Sequence, residues 1–315
     1  MTDTTEMVGS PRTIRLTLAY EGTRYSGWQV QPGRATVQGA LAEAIRGVTG
    51  EAIVPRGSSR TDAGVHALGQ VVAFTTASNL EPRVWVRALN AKLPSDITVV
   101  DGCAAPDGFD PVWAAVRKRY RYRIHDAAWR PVLQRHLVWR WKSRLDVSAM
   151  QAAAGELVGE HDFTSFETTP STRLSKVRTI HSAEVFRHSG YDDAPDAEVW
   201  LEVVGNGFLY NMVRIITGSL VMVGSGKRRP EWIREVIAAR SRPAAGPTAP
   251  PQGLVLVSID LDLDVSHRSA SSNPAAAWQE CPNNLENWPS ADSWARAGTA
   301  RSGRLWTQIP AGGWR

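Results

Sequence analysis

The stretch Ser58-Ser-Arg-Thr-Asp-Ala-Gly-Val-His-Ala-Leu-Gly-Gln-Val-Val-Ala-Phe74 joins a cluster of small polar residues to an apolar run. The run from Gln70 to Thr75 reads as a buried strand, and just before it a single carboxylate, Asp62, stands between Arg60 and an Ala-Gly turn. An aspartate so placed either hydrogen-bonds its own backbone to close the turn or is reserved for chemistry, since one carboxylate suffices to attack carbon or to take a proton beside a glycosidic bond. Its surroundings decide between the two.

Upstream, Ile14, Leu16, Leu18 and Tyr20 alternate with polar residues and predict a strand, and Thr36 after a Pro-Gly turn opens a helix carrying Val37, Leu41, Ala44, Ile45 and Val48 that Gly50 ends. A short strand at Ala52 to Pro55, the strand from Gln70, a helix over Pro82 to Lys92 and a strand over Ile97 to Asp101 complete a β-α-β-β-α-β order. The second half repeats it: strand Tyr120 to Ile124, helix Asp146 to Leu157, strands Val177 to Phe186 and Glu198 to Gly205, helix Leu209 to Met222, and closing strand Leu254 to Asp262, with an extra helix at Glu231 to Ala239. The expected fold class is α+β: two ferredoxin-like halves joined into one extended antiparallel sheet with helices on one face, a join that would also cover exposed strand edges. Residues 1–12 read as a disordered N-terminus, 13–110 as the half carrying the Asp62 loop, 111–264 as the second half. Residues 265–315, rich in Ser, Ala and Trp, read as a disordered tail with five arginines against three acids.

Several chemistries are not supported. No His-x-x-His, His-Glu-x-x-His or Cys-x-x-Cys spacing offers a metal site, and the two cysteines, Cys103 and Cys281, are far apart, which argues against a disulfide framework. Phosphate-binding glycine loops and a nucleophile elbow are missing too. The N-terminus has no basic-then-apolar leader and the most apolar run contains Asn211 and Arg214, so neither a secretory signal nor a membrane span is expected, and a cytoplasmic protein is.

The net charge of +5 and pI near 9.5 gain meaning from their placement. Arg117-Lys-Arg-Tyr-Arg-Tyr-Arg123 sets five cations around two tyrosines, and Lys227-Arg-Arg229 forms a second cluster. Cations beside aromatic rings suit phosphates and bases, although alternating arginines on a solvated strand face would give the same string. Arg214, inside the otherwise apolar Asn211-Met-Val-Arg-Ile-Ile-Thr-Gly-Ser-Leu220, either has a buried anionic partner or lies on the exposed edge of its helix. Asp62 is the candidate partner.

The ordered string Tyr20-Glu-Gly-Thr-Arg-Tyr-Ser-Gly-Trp-Gln29, Thr36-Val-Gln38, Arg60-Thr-Asp-Ala-Gly-Val-His-Ala67, Gly69-Gln-Val71, Leu89-Asn90, Leu93-Pro94, Arg119-Tyr-Arg-Tyr122, His161-Asp-Phe-Thr-Ser-Phe166, Phe208 through Arg214 and Gly253-Leu254 resembles the TruA family of tRNA pseudouridine synthases. The resemblance runs from residue 13 to about 262. It departs from the family pattern at Glu21, where Asp is usual, and at Ser59, where Gly is usual. The resemblance implies isomerisation of uridine to pseudouridine in the anticodon stem-loop of tRNA, at about positions 38 to 40, without cofactor or metal, by a homodimer. Carried over residue by residue, it makes Asp62 the essential carboxylate, attacking the ribose or taking a ribose proton. Tyr120 would stack on the extruded base, Arg214 would pair with Asp62, and Arg60 would support the flipped nucleotide. Arg119, Lys227 and Arg228 would contact tRNA phosphates, offsetting the few kcal/mol that base extrusion costs.

Overall fold

The computed structural model describes residues 10–168, 175–189 and 196–262. Most of the expected N-terminal segment (residues 1–9) and nearly all of the expected tail (263–315) lie outside these residues; Arg12 already belongs to the first strand.

Ten strands build one sheet: β1 (Arg12–Tyr20), β2 (Arg56–Gly57), β3 (His66–Thr76), β4 (Ile97–Ala105), β5 (Ala115–His125), β6 (Trp139–Arg140), β7 (Gly159–Asp162), β8 (Val177–His188), β9 (Glu198–Gly205) and β10 (Leu254–Leu261). Their order is β4-β1-β3-β10-β5-β9-β8-β7, with β2 on β3 and β6 on β5. Most pairs are antiparallel, but the sheet is not wholly so. The join at the middle of the sheet, between β3 and β10, is a parallel contact in which Val255 faces His66 and Leu256 faces Ala67. Both strands leave the same end of the sheet, β3 after the Asp62 loop and β10 after the turn at Pro251–Gly253, and so run side by side.

The helices are α1 (Val37–Thr49), α2 (Pro82–Asn90), α3 (Val147–Gly155), α4 (Met212–Gly224) and α5 (Trp232–Ala239). Their ends follow local chemistry. Thr36 accepts from the Gly39 N–H and Asp146 from the Ala149 N–H, satisfying donors that a helix start leaves unpaired. Gly50 closes α1 at φ 79°, a left-handed conformation that glycine adopts without penalty. Alternation on β1 buries Ile14, Leu16 and Leu18 completely, in one apolar core continuous with Tyr122, Phe163 and Ile216.

Two boundaries differ from expectation, and two strands were not expected, for identifiable reasons. The strand expected at 52–55 forms instead at Arg56–Gly57, opposite Ala73 and Val72; Pro55 has no N–H to give a ladder, and Gly57 lacks the Cβ that would lie 2.5 Å from the Trp28 ring. Helix α4 starts at Met212 rather than Leu209 because Asn211 adopts a left-handed backbone, φ 61°. Strands β6 and β7 are too short to carry a period. Cys103, buried on β4, is not a free thiol, contrary to the expectation from cysteine spacing. Among the described residues no helix is long and apolar enough to cross a membrane.

Gly218, inside α4, is pressed against the chain that leads into β10: a Cβ there would stand 1.8 Å from the Pro247 carbonyl oxygen. Alanine improves helix propensity by about 1 kcal/mol, but the obstacle is main chain, and forced overpacking costs about 1–3 kcal/mol or more. Gly218→Ala is therefore expected to lower the urea midpoint; an unchanged or raised midpoint would mean that residues 247–249 are not held against α4.

Candidate active site

The polar stretch Ser58–Val65 forms a loop between β2 and β3, tied down along its length. The buried Gln70 side chain accepts from the Ser59 N–H at 3.1 Å and donates to the Ser59 carbonyl at 2.5 Å. Tyr20 shares a hydrogen bond of 2.8 Å with the Thr61 hydroxyl, and the Trp28 N–H donates to the Thr61 carbonyl. Gly27, at φ 91°, lets the chain pass where any Cβ would come 2.6 Å from that carbonyl oxygen. The quoted segment from Tyr20 to Gln29 is thus a clamp on the Asp62 loop. His66 extends it, accepting from the Gly22 N–H at 2.9 Å, with its other ring nitrogen 3.2 Å from the Gln252 carbonyl. That role is structural, and burial lowers the pKa of the ring.

The turn after Asp62 is closed by main chain, Val65 N–H to Asp62 carbonyl at 3.1 Å. The carboxylate points elsewhere. Its Oδ2 accepts from Arg214 Nη1 at 3.2 Å, across 152 positions of sequence, with side-chain exposures of 17% and 16%. Arg214 lies in the first turn of α4 and also donates from Nε to the Ala249 carbonyl at 2.8 Å and from Nη1 to Asn211 Oδ1 at 2.6 Å. Burial raises the Asp62 pKa above the usual carboxylate range, and Arg214 opposes the rise by charge and hydrogen bond.

Asp62 lies in a cleft of about 1500 Å³ with Arg60, Lys118, Tyr120, Phe208 and Tyr210 among its lining residues. Tyr120 packs edge-on against Phe208, ring centres 5.0 Å apart. Its hydroxyl is 2.9 Å from Ser59 Oγ. Burial, with the nearby Asp62 charge, pushes the Tyr120 phenol up to about 12, so it stays protonated at neutral pH. Arg60 is exposed on the cleft.

Asp62, Arg60 and Tyr120 therefore line the cleft and Arg214 joins them through its pair with Asp62, while Arg119, Lys227 and Arg228 are in neither position. Successive residues of β5 face opposite sides of the sheet. Lys118 and Tyr120 face the cleft, but Arg119 faces Glu202 at 3.7 Å, beside Arg121 and the Arg123 pair with Glu198. Much of the basic run thus answers acids on β9. Lys227 and Arg228 follow the far end of α4, about 18 Å along the helix from its start at 1.5 Å per residue, and Arg228 lies over the Trp232 ring. Sequence reasoning passed over Lys118, whose Nζ donates to the Ser58 carbonyl at 2.8 Å, because it sits inside a run of like charges; strand parity with Tyr120 marks it. It also gave no role to Asn211. Among the described residues no cluster of three or more His, Cys, Asp or Glu is placed to hold a metal.

The model of a family described as tRNA pseudouridine synthase matches residues 17–111 and 153–262, both elements of the Asp62–Arg214 pair included. The chain belongs to the TruA family of tRNA pseudouridine synthases. Relatives of the same description, tRNA pseudouridine synthase A, include that of Geotalea uraniireducens, 44% identical over 79% of this chain and 99% of the relative. Those of Brevibacillus brevis and Halalkalibacterium halodurans are 46% and 40% identical, over 77% and 83% of this chain and 97% of each relative. As a member, the chain is an isomerase acting as a tRNA pseudouridine synthase.

The Gln70 clamp gives a direct test of how the loop is held. Gln70→Leu would leave the buried Ser59 N–H and carbonyl without partners, and each orphaned group costs about 1–3 kcal/mol. A fall in unfolding free energy of at least about 2 kcal/mol is expected by denaturant titration; a smaller change would show that the loop finds other partners.

Proposed function

We propose that this tRNA pseudouridine synthase isomerises uridines of the anticodon stem-loop, at about positions 38 to 40, with Asp62 as the reacting carboxylate. The observation that carries the reading is the Asp62 carboxylate in a wide cleft beside Tyr120, paired with Arg214. The N1–C1′ bond of the extruded uridine breaks while Asp62 either bonds to the ribose C1′ or takes a ribose proton. The uracil turns and its C5 bonds to C1′ as the Asp62–C1′ bond breaks or, on the other route, as the ribose proton is returned, and the C5 proton is then released. Both routes need an ionised carboxylate, which Arg214 favours. Tyr120, protonated and wedged by Phe208, is assigned to stacking on the base, and Arg60 to support of the flipped nucleotide. Arg119, Lys227 and Arg228 lie outside the cleft lining, so any phosphate they bind belongs to distant parts of the tRNA.

The same resemblance supports cytoplasmic action as a homodimer. The strand order supports two ferredoxin-like halves with helices on one face, since β4-β1-β3-β2 and β10-β5-β9-β8 each place the fourth, first, third and second strands of their half side by side. The family match ends at residue 262, which supports a tail from 265 that adds nothing to catalysis. Truncation after Asp264, which also removes Cys281, is expected to leave turnover nearly intact, and a large loss would refute that boundary.

The decisive variant is Asp62→Asn. The amide keeps the shape but cannot act as nucleophile or base at neutral pH. Because burial raises the folded-state pKa, the stabilising contribution of Asp62 is complete below its unfolded value and is lost as pH rises through its folded value. Asp62→Asn is therefore expected to unfold at no lower temperature than the parent at neutral pH, to bind tRNA alike in filter binding, and to release no tritium from C5-labelled uridine. Substantial release would remove Asp62 from the chemistry.

The pH dependence follows from the same balance. Single-turnover tritium release should fall as pH drops through a midpoint above the ordinary carboxylate range, and Arg214→Met should move that midpoint higher still by removing the opposing charge. A midpoint that stays put in Arg214→Met would show that Arg214 does not tune Asp62.

A further inference from the structure

Asn211 occupies the N-cap of α4 without capping it. An asparagine there ordinarily turns its side-chain oxygen onto the N–H of the second or third helical residue, worth about 1 kcal/mol; here no side-chain cap bond forms. The backbone is left-handed, φ 61° and ψ 7°, one of three non-glycine residues with positive φ among those described. The side chain is used elsewhere. Oδ1 accepts from Arg214 Nη1 at 2.6 Å, and Nδ2 donates to the Thr168 hydroxyl at 3.1 Å. The Thr168 N–H in turn donates to the Tyr210 carbonyl.

Arg214 Nη1 is the same nitrogen that reaches Asp62 at 3.2 Å. Its short contact is with Asn211 and its longer one with the carboxylate. The guanidinium is thus held by two neutral oxygens, Asn211 Oδ1 and the Ala249 carbonyl, that do not depend on Asp62. An arginine held this way keeps its place if the carboxylate shifts or bonds to carbon. A helix start that forgoes its cap and takes up an uncommon backbone conformation for one side-chain contact is the kind of local cost that persists where function requires it.

We infer that Asn211 is a positioning residue for the isomerisation: it fixes Arg214 against Asp62 and anchors that arginine, through Thr168, to the chain that follows the 164–166 turn. It touches neither the carboxylate nor the base. Its effect is on the rate of the chemical step and on the ionisation of Asp62, and not on tRNA affinity. The groups facing Asp62 in this respect are Arg214 and Tyr120, and only Arg214 is charged at working pH.

The inference rests on Asp62 being the reacting carboxylate, so full-chain Asp62→Asn is assayed in parallel. Asn211→Gly tolerates the left-handed backbone and removes only the side chain, whereas Asn211→Ala removes the side chain and keeps the strain. Both are expected to lose on the order of 10- to 100-fold in single-turnover tritium release at saturating tRNA, with filter-binding affinity unchanged and the acidic limb of the pH profile moved to higher pH. Asn211→Gly should unfold no earlier than the parent. A parental rate in Asn211→Gly beside an inactive Asp62→Asn overturns the positioning role, as does a rate loss matched by an equal loss of tRNA affinity or an unmoved pH limb. Activity in Asp62→Asn overturns the underlying reading instead. Should both Asn211 variants fail to fold, Thr168→Val, which removes the hydroxyl and leaves Asn211 in place, is expected to show a smaller rate loss in the same direction, and no loss overturns the inference.

Discussion

An ionised carboxylate taken largely out of water needs a cation that the fold supplies, and Asp62 receives it from a helix 152 positions away. Removing Arg214 would leave a partly buried carboxylate without its opposing charge and push it towards the protonated form, whereas Arg214 keeps two neutral oxygens whether or not Asp62 is charged. The pairing therefore constrains the whole molecule: the loop before β3 and the first turn of α4 must meet, so the β3 side and the β10 side of the sheet must join. That join is a short parallel contact between β3 and β10. A Cβ on Gly64 would stand 2.9 Å from the Pro251 ring, and Gly253 lies against Tyr122, so the join and the Asp62 loop are packed as one piece.

The strand next to that join divides its charges by parity. β5 offers Lys118 and Tyr120 to the cleft and Arg119, Arg121 and Arg123 to the other face, where Glu198, Glu202 and the Trp200 ring answer them. A partly desolvated arginine over a tryptophan ring with a carboxylate in reach is well satisfied. A run of five cations around two tyrosines looks like a nucleic-acid footprint, yet much of it balances a neighbouring strand.

What could be read in advance follows from how local each signal is. Alternation on β1, the Thr36 and Asp146 caps and the glycine stop after α1 depend on neighbours in sequence, and those elements lie where they were expected. The Asp62–Arg214 pairing was legible for a different reason: an arginine inside an apolar helix has either an anionic partner or an exposed edge, and the family resemblance pointed to Asp62 as that partner. The parallel join, the displaced β2 and the splitting of the basic run depend on which strands lie side by side, which no local period records. Asn211 was hidden because its side chain and backbone depart from what an N-cap asparagine does by itself. Ser59 illustrates the same limit: in sequence it is a departure from the usual glycine, and only the fold brings its hydroxyl to Tyr120.

The electrostatic balance at Asp62 also explains why the site is neither dry nor open. Burial alone raises the carboxyl and favours its protonated form, which under the proposed chemistry could neither attack nor accept. Full exposure would return it to the ordinary range, where it is ionised but well solvated and a weaker base. A side chain about one-sixth exposed, opposed by one arginine, lies between these limits. For the proposed role of Asp62, Arg214 must then be near enough to keep the charge and not so tightly bound that it holds the oxygen back from the ribose. Sharing its Nη1 with Asn211 and its Nε with the Ala249 carbonyl meets both conditions, because the guanidinium stays in place while its contact with the carboxylate remains the longest of the three.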